Sequence, residues 1–131
     1  PKSIRRNSKT DTDIGLIYFG STTPAVDEAI DYLYNDGFNI DRLRIRSFPF
    51  DKILEKFIDD HKYIFILEQN RDAQMKFIIS NELKKDINSF VSLLNFDGSP
   101  VTAQFIIKEF TLKIKGNKKI MSKVKKPKSA A

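Results

Sequence analysis

Cysteine is absent from the 131 residues, and histidine occurs once, at His61. The first absence excludes disulfides, thiolate catalysis and cysteine-ligated zinc or iron–sulfur sites within the chain. The second excludes a multi-histidine metal centre. A cysteine-free chain fits a reducing, cytoplasmic setting. No apolar run approaches 18 residues, so no membrane-spanning helix is expected. No charged-then-apolar leader of the secretory type is present. The chain opens at Pro1 without an initiator methionine and is expected to be a processed chain or a piece of a longer polypeptide. Its length suits one domain, and 40% hydrophobic residues suffice for a core.

Acidic residues are missing from both ends. Residues 1–10 carry Lys2, Arg5, Arg6 and Lys9 without an acid, and residues 113–128 carry eight lysines without an acid. The formal charge of +6 therefore belongs to the ends, and the folded body between them is expected to be acidic. That makes a nucleic-acid groove improbable. A basic tail can bind acidic partners, but it is more commonly a solvated arm.

What is present is an alternation of strand and helix signals. Tyr63 to Glu68 is an unbroken apolar run closed by a glutamate, and Ile14 to Phe19 is another. Such runs suit strands buried on both faces of a parallel sheet. Asp41 to Phe48 alternates Leu43 and Ile45 with Arg42, Arg44 and Arg46, which predicts a strand nearer an edge. Its arginines either guard that edge or face a partner or anion. A fourth strand is expected within Asn88 to Phe96. Helices follow each strand. Val26, Ala29, Ile30, Leu33 and Tyr34 mark the first, and Ile53, Leu54, Phe57 and Ile58 the second. Met75, Ile78, Ile79 and Leu83 mark the third, and Ala103, Ile106, Ile107 and Phe110 the last. Each set has one-face spacing. Ser99 or Thr102 is expected to cap the last helix. Asp27 and Glu28 suit the positive end of the first, and Gly37 its left-handed stop. His61 is expected at a helix end in a capping or solvent role. Four strand–helix repeats predict an α/β chain with a mostly parallel sheet and helices on both faces.

Polar residues gather where two strands should end. Gly20-Ser21-Thr22 lies at a strand-to-helix turn, which suits either helix capping or an anion. The Glu68-Gln69-Asn70 cluster offers a carboxylate and two amides. In one reading Asn70 caps the next helix while its neighbours tie down loops; in the other the cluster contacts a partner or substrate channel. No Ser–His–acid set and no carboxylate dyad can be assembled, so no catalytic, cofactor-binding or metal residue is assigned.

Three stretches in order resemble one known family: DIGLIYFGSTTPAVDEAIDYL from Asp13, RLRIRSFPF from Arg42 and YIFILEQNRDAQM from Tyr63. They are similar to the transketolase C-terminal-like domain in the alpha subunit of 2-oxoacid:ferredoxin oxidoreductases, of the 2-oxoglutarate and pyruvate type. There a strand ending in Gly-Ser-Thr is followed by Arg-x-x-Pro-Phe, here Arg46, Pro49 and Phe50. Glu-x-Asn with a nearby Gln comes next, here Glu68, Asn70 and Gln74. The residue before that Gln is usually Gly, and here it is Ala73. The resemblance covers roughly residues 13–112, leaving 1–12 as a basic arm and 113–131 as a basic tail. It implies a three-layer α/β/α sandwich with a mixed sheet of four to five strands. One strand runs against the others, and the one missing from the periodicity lies in a loop or arm.

It also implies an enzyme complex that oxidatively decarboxylates a 2-oxoacid to acyl-coenzyme A and reduces ferredoxin. Thiamine diphosphate, Mg and an iron–sulfur cluster belong to that complex, not to this chain. The chain would be an accessory domain, inactive alone. It would pack against the beta subunit and the N-terminal alpha domain and shape the active site. Glu68, Asn70, Arg71 and Gln74, with Arg46, Ser21 and Thr22, are the residues implied for that role. Two other readings stay open. One is the C-terminal domain of another thiamine-diphosphate enzyme, such as a 2-oxoacid dehydrogenase beta subunit. The other is a non-enzymatic flavodoxin-like binding module.

Overall fold

The two longest apolar runs become neighbours at the middle of a five-stranded sheet. The computed structural model describes residues 2–8, 10–20 and 22–117. In chain order its elements are β1 (Ile4–Arg6), β2 (Ile14–Phe19), α1 (Thr23–Asn35), β3 (Asp41–Ile45), α2 (Lys52–Asp60), β4 (Tyr63–Glu68), α3 (Gln74–Glu82), β5 (Phe90–Leu94) and α4 (Ala103–Lys115), with a 3-10 turn at Ile87–Ser89 before β5. The strand order is β1-β3-β2-β4-β5. The four longer strands run parallel to one another, and β1 is antiparallel to β3. The fold is thus the mixed α/β/α sandwich expected, with its fifth strand inside the N-terminal arm.

Two cores fill the layers, as a doubly covered sheet requires. On one face Leu16, Tyr18, Phe65, Leu67 and Leu93 meet α1 and α4. On the other Ile17, Leu43, Ile45, Ile64, Ile66 and Phe90 meet α2 and α3. Gly15 lies under α2, and a Cβ there would sit 2.7 Å from the Phe57 ring and 3.0 Å from His61. The close approach of that helix to β2 therefore needs glycine.

Several local expectations change in three dimensions. The sheet edge is β1, not β3, because the arm pairs with β3 from Ile4 to Arg6. β3 stops at Ile45, and Arg46 to Phe50 is loop containing a cis Phe48–Pro49 bond. The arginines divide: Arg42 pairs with Asp27 of α1 at 3.4 Å, Arg44 donates to the Gly20 carbonyl at 3.0 Å, and Arg46 is exposed. Asp27 thus serves an ion pair rather than the first turn of α1. In α3 only Ile79 is buried, and Ile78 is 41% exposed. Thr102, not Ser99, caps α4 by accepting from the Phe105 N–H at 3.0 Å. Among the described residues no helix is long and apolar enough to cross a membrane. The basic tail beyond Asn117 lies outside the described residues.

His61 stands at the C-cap of α2, as the capping reading expects, but it is buried rather than solvated. Its Nδ1 is 2.6 Å from the Phe57 carbonyl and its Nε2 2.7 Å from the Asp41 carboxylate. Asp41 also accepts from the Ser8 N–H at 2.6 Å and lies 3.8 Å from Arg5. Arg5 reaches Asp60 at 2.6 Å, and the Ser3 N–H donates to Asp51 at 2.6 Å. Three carboxylates therefore hold β1 onto the sheet and α2.

Candidate functional site

Chain direction reverses across the sheet at β2 and β4. After β2 the chain steps outward to β3, then returns over β2 to lay down β4 on the other side. The crevice beyond the carboxyl ends of such strands is where open α/β sheets bind ligands and partners. Here it is an open depression of about 150 Å³ lined by Phe19, Gly20, Thr22, Leu67 and Gln69. Gly20 has φ of +77°, which favours glycine and lets the chain turn sharply off β2. Thr22 stands at the N-cap of α1, yet its hydroxyl donates back to the Phe19 carbonyl at 3.3 Å instead of capping. Thr22 therefore braces the turn. Ser21 lies outside the described residues.

Glu68 closes the other wall. Its side chain is fully buried at the end of β4. Oε1 accepts from the Met75 N–H at 2.6 Å and the Asn70 side-chain amide at 3.1 Å, and Oε2 accepts from the Lys76 N–H at 3.2 Å. Asn70 Oδ1 accepts from the N–H groups of Asp72 and Gln74 at 3.1 and 3.2 Å. The first three amides of α3 thus find acceptors in the preceding loop. A buried carboxylate at the positive end of a helix is also electrostatically favoured. The Asn70 and Glu68 parts of the capping reading match these bonds: Asn70 accepts at the start of α3, and Glu68 ties loop to helix. Gln69 instead lines the depression.

Ala73 shows why glycine suits this loop. It has φ of 52° and ψ of 45°, the left-handed region, immediately before α3. A non-glycine residue there costs roughly 1–2 kcal/mol. Glycine recovers most of that while adding unfolded-chain entropy worth roughly 0.4–1 kcal/mol. Ala73→Gly is therefore expected to raise stability by about 0.5–1 kcal/mol, read as a higher urea midpoint at unchanged slope. A lower midpoint would show that packing of the Ala73 methyl outweighs the backbone strain.

The remaining residues line an exposed rim. Arg71 is exposed, with its guanidinium 5.5 Å from the Phe96 ring centre. Gln74 is exposed at the start of α3, and Arg46 is exposed beyond β3. Arg46 follows β3, Glu68 ends β4 and Asn70 follows it, and Thr22 follows β2, so all share the carboxyl edge of the sheet. The sequence gives Phe19 and Leu67 no site role, and it offers Gln69 and Arg44 only as members of wider polar sets. Gln69 was legible between two chosen residues. The role of Arg44 depends on the β2–β3 register, which no local pattern displays.

The donor set bears on chemistry. No cysteine exists to hold an iron–sulfur cluster. Among the described residues no group of three or more His, Asp or Glu side chains could hold a metal ion. The cysteine-free sequence therefore does not fit a cysteine-ligated iron–sulfur cluster. The rim offers amides, guanidinium groups and apolar surface, which suits recognition.

No family model matches the sequence. Two solved structures share the fold. One is a 2-oxoglutarate:ferredoxin oxidoreductase from Magnetococcus marinus, with 2-oxoglutarate, coenzyme A and succinyl-CoA bound. It aligns with 87% of this chain at 21% identity and a TM-score of 0.72, and this chain spans 20% of that one. The other is the alpha chain of a probable 2-oxoacid ferredoxin oxidoreductase from Thermoplasma acidophilum. It aligns with 87% of this chain and 97% of its own length, at 22% identity and a TM-score of 0.57.

Proposed function

We propose that this chain is the C-terminal accessory domain of the alpha subunit of a 2-oxoacid:ferredoxin oxidoreductase, cytoplasmic and inactive by itself. One observation carries the reading. The three strand-end motifs of the resemblance, distant in sequence, end β2, β3 and β4 and so converge on one edge of the sheet. The shared fold with two oxidoreductase chains of this type supports it. The domain, residues 13–112 with the paired arm strand, packs through this rim against the N-terminal alpha domain and the beta subunit. Arg46, Arg71 and Gln74 meet the partner, while Thr22, Glu68 and Asn70 hold the loops in shape. Thiamine diphosphate, Mg and the iron–sulfur cluster are held elsewhere in the complex, where they supply decarboxylation and electron transfer to ferredoxin. No step of that chemistry runs through this chain.

The test is an anaerobic purification of the tagged chain from its native lysate, with intact masses and viologen reduction dependent on a 2-oxoacid and coenzyme A. Activity co-eluting with a beta-type partner supports the reading. In that complex Arg71→Glu is expected to lower recovery of the partner at least several-fold while the domain stays folded. Elution of the chain alone at its own mass, without activity, would overturn the assignment and leave a binding module.

A further inference from the structure

The outer face of α1 carries charge of one sign. The helix holds Asp27, Glu28 and Asp31 and no Lys, Arg or His. Asp27 pairs with Arg42 and Arg6. Glu28, Asp31 and Asp36 form no ion pair among the described residues. With Tyr32 and Asn35 they are exposed, and their spacing of three and four residues sets them in one stripe. Tyr32 lies 54% exposed among these acids.

The end of α1 has the wrong sign for its position. Asp36 is the C-cap, and the last turn holds no basic residue. The negative end of a helix dipole favours a cation there. α4 meets that preference with Lys113 and Lys115 in its last turn. In α1 the preference is unmet among the described residues.

A basic stretch of the same chain starts beside this stripe. Phe38, just past Asp36, meets Phe110 of α4 edge-on with 5.4 Å between ring centres. Phe38 and Ile114 belong to one core, and the Asn117 N–H donates to the Ile114 carbonyl at 2.8 Å. The chain therefore leaves α4 on the side of the molecule where α1 stops. Residues 118–131 follow, with six lysines between Lys118 and Lys128 and no acid. Fully extended they reach about 46 Å, whereas the 13 residues of α1 span about 20 Å.

We infer that residues 118–128 lie back along the outer face of α1, with their lysines on Glu28, Asp31 and Asp36. Charge selects the occupant, because an acid-free segment meets a base-free helix. The tether favours it over a free basic partner, since a joined segment meets the stripe at an effective concentration of about millimolar. A lysine beside Asp36 supplies the cation that the helix end lacks. The Tyr32 ring offers its face to an ammonium group among the same acids. Exposed ion pairs are individually weak and screened by salt. Several lysines must therefore act together, and the contact is salt-dependent. The inference goes beyond the accessory-domain reading and does not rest on it.

The test is zero-length carbodiimide coupling of lysines to carboxylates in the full chain at low salt, read by peptide mass. Lys118 to Lys128 are expected to couple to Glu28, Asp31 and Asp36 at least tenfold more than to Asp72 and Asp97, which are exposed at the carboxyl edge of the sheet. Roughly 1 M salt, which cuts the screening length to about 3 Å, is expected to remove that preference. Mixing isotope-labelled and unlabelled chains assigns each product to one copy or to two. Glu28→Gln with Asp31→Asn and Asp36→Asn, checked for fold by circular dichroism, is expected to speed tryptic cleavage at the same lysines at least threefold. The coupling measurement uses the unaltered chain, so it decides the question even if the triple variant unfolds. Even coupling across the exposed acids, products that join two copies, or unchanged cleavage in the folded variant each overturns the inference. None of these outcomes depends on oxidoreductase activity.

Discussion

Glu68→Ala is expected to lower stability by about 3–5 kcal/mol and to loosen α3 before the rest of the sheet melts. The substitution strips acceptors from the Met75 and Lys76 amides and from the Asn70 side chain at a fully buried position. Each buried donor left without a partner costs about 1–3 kcal/mol, and the lost side chain leaves a cavity. α3 has little else to hold it, since Ile79 is its one buried residue. Glu68→Gln keeps the shape and one oxygen but turns an NH₂ toward the helix amides. It also forfeits a negative charge at the positive helix end, so about 1–3 kcal/mol is expected. Thermal melts give the totals, and hydrogen exchange gives the order of opening. Wild-type protection of the Met75 to Ile79 amides in folded Glu68→Ala would refute the clasp.

Asp41→Ala is expected to cost a further-reaching 3–5 kcal/mol, roughly the cost of removing one partner from a buried charged pair. Three groups lose their acceptor together: the His61 ring, the Ser8 N–H and the nearby Arg5 guanidinium. Release of the N-terminal strand should follow, visible as new protease cleavage near residues 3–8. The pH dependence has a definite sign. Burial pushes the Asp41 carboxyl up, but hydrogen bonds from His61 and Ser8 outweigh it and hold the carboxyl below its usual value. A carboxylate with a lowered folded pKa contributes stability that is full above its unfolded value, about 3.9. That contribution is lost as pH falls through the folded value.

Asp51 behaves alike: burial raises it, and the Ser3 and Leu54 amides more than compensate. The Arg5 hydrogen bond lowers Asp60. All three carboxylates contact the arm or its anchors, so acid should release the arm below about pH 4. The stability gap between wild type and Asp41→Ala should shrink over the same range. A gap constant from pH 6 to pH 2 would refute this role for Asp41.

Local signals fixed the elements because their causes are local. Five consecutive apolar residues from Tyr63 need two covered faces, whatever lies nearby. Gly20 and Gly37 mark turns because their positive φ is a property of one residue. The cap at Thr102 spans three residues. The polar cluster after Tyr63–Glu68 was legible as a cap for the same reason. The absence of cysteine and the single histidine bounded the chemistry without any coordinates.

Other features depend on contacts between residues far apart in sequence. Ile4–Arg6 has no strand periodicity in three residues, and its place comes from pairing with Ile4↔Arg44 and Arg6↔Arg42 on β3. That pairing moved the sheet edge away from the arginine-rich strand. His61 reads as a capping or solvated helix end until Asp41, 20 residues earlier, is brought against it. The depression between Gly20 and Gln69 exists because β4 lies beside β2 rather than β3. Sequence determined which segments are strand or helix and what chemistry they lack, through interactions within a few residues. Tertiary structure alone decided which strand pairs beside β3, which ions are buried and where the strand ends meet, because those follow from strand order and register.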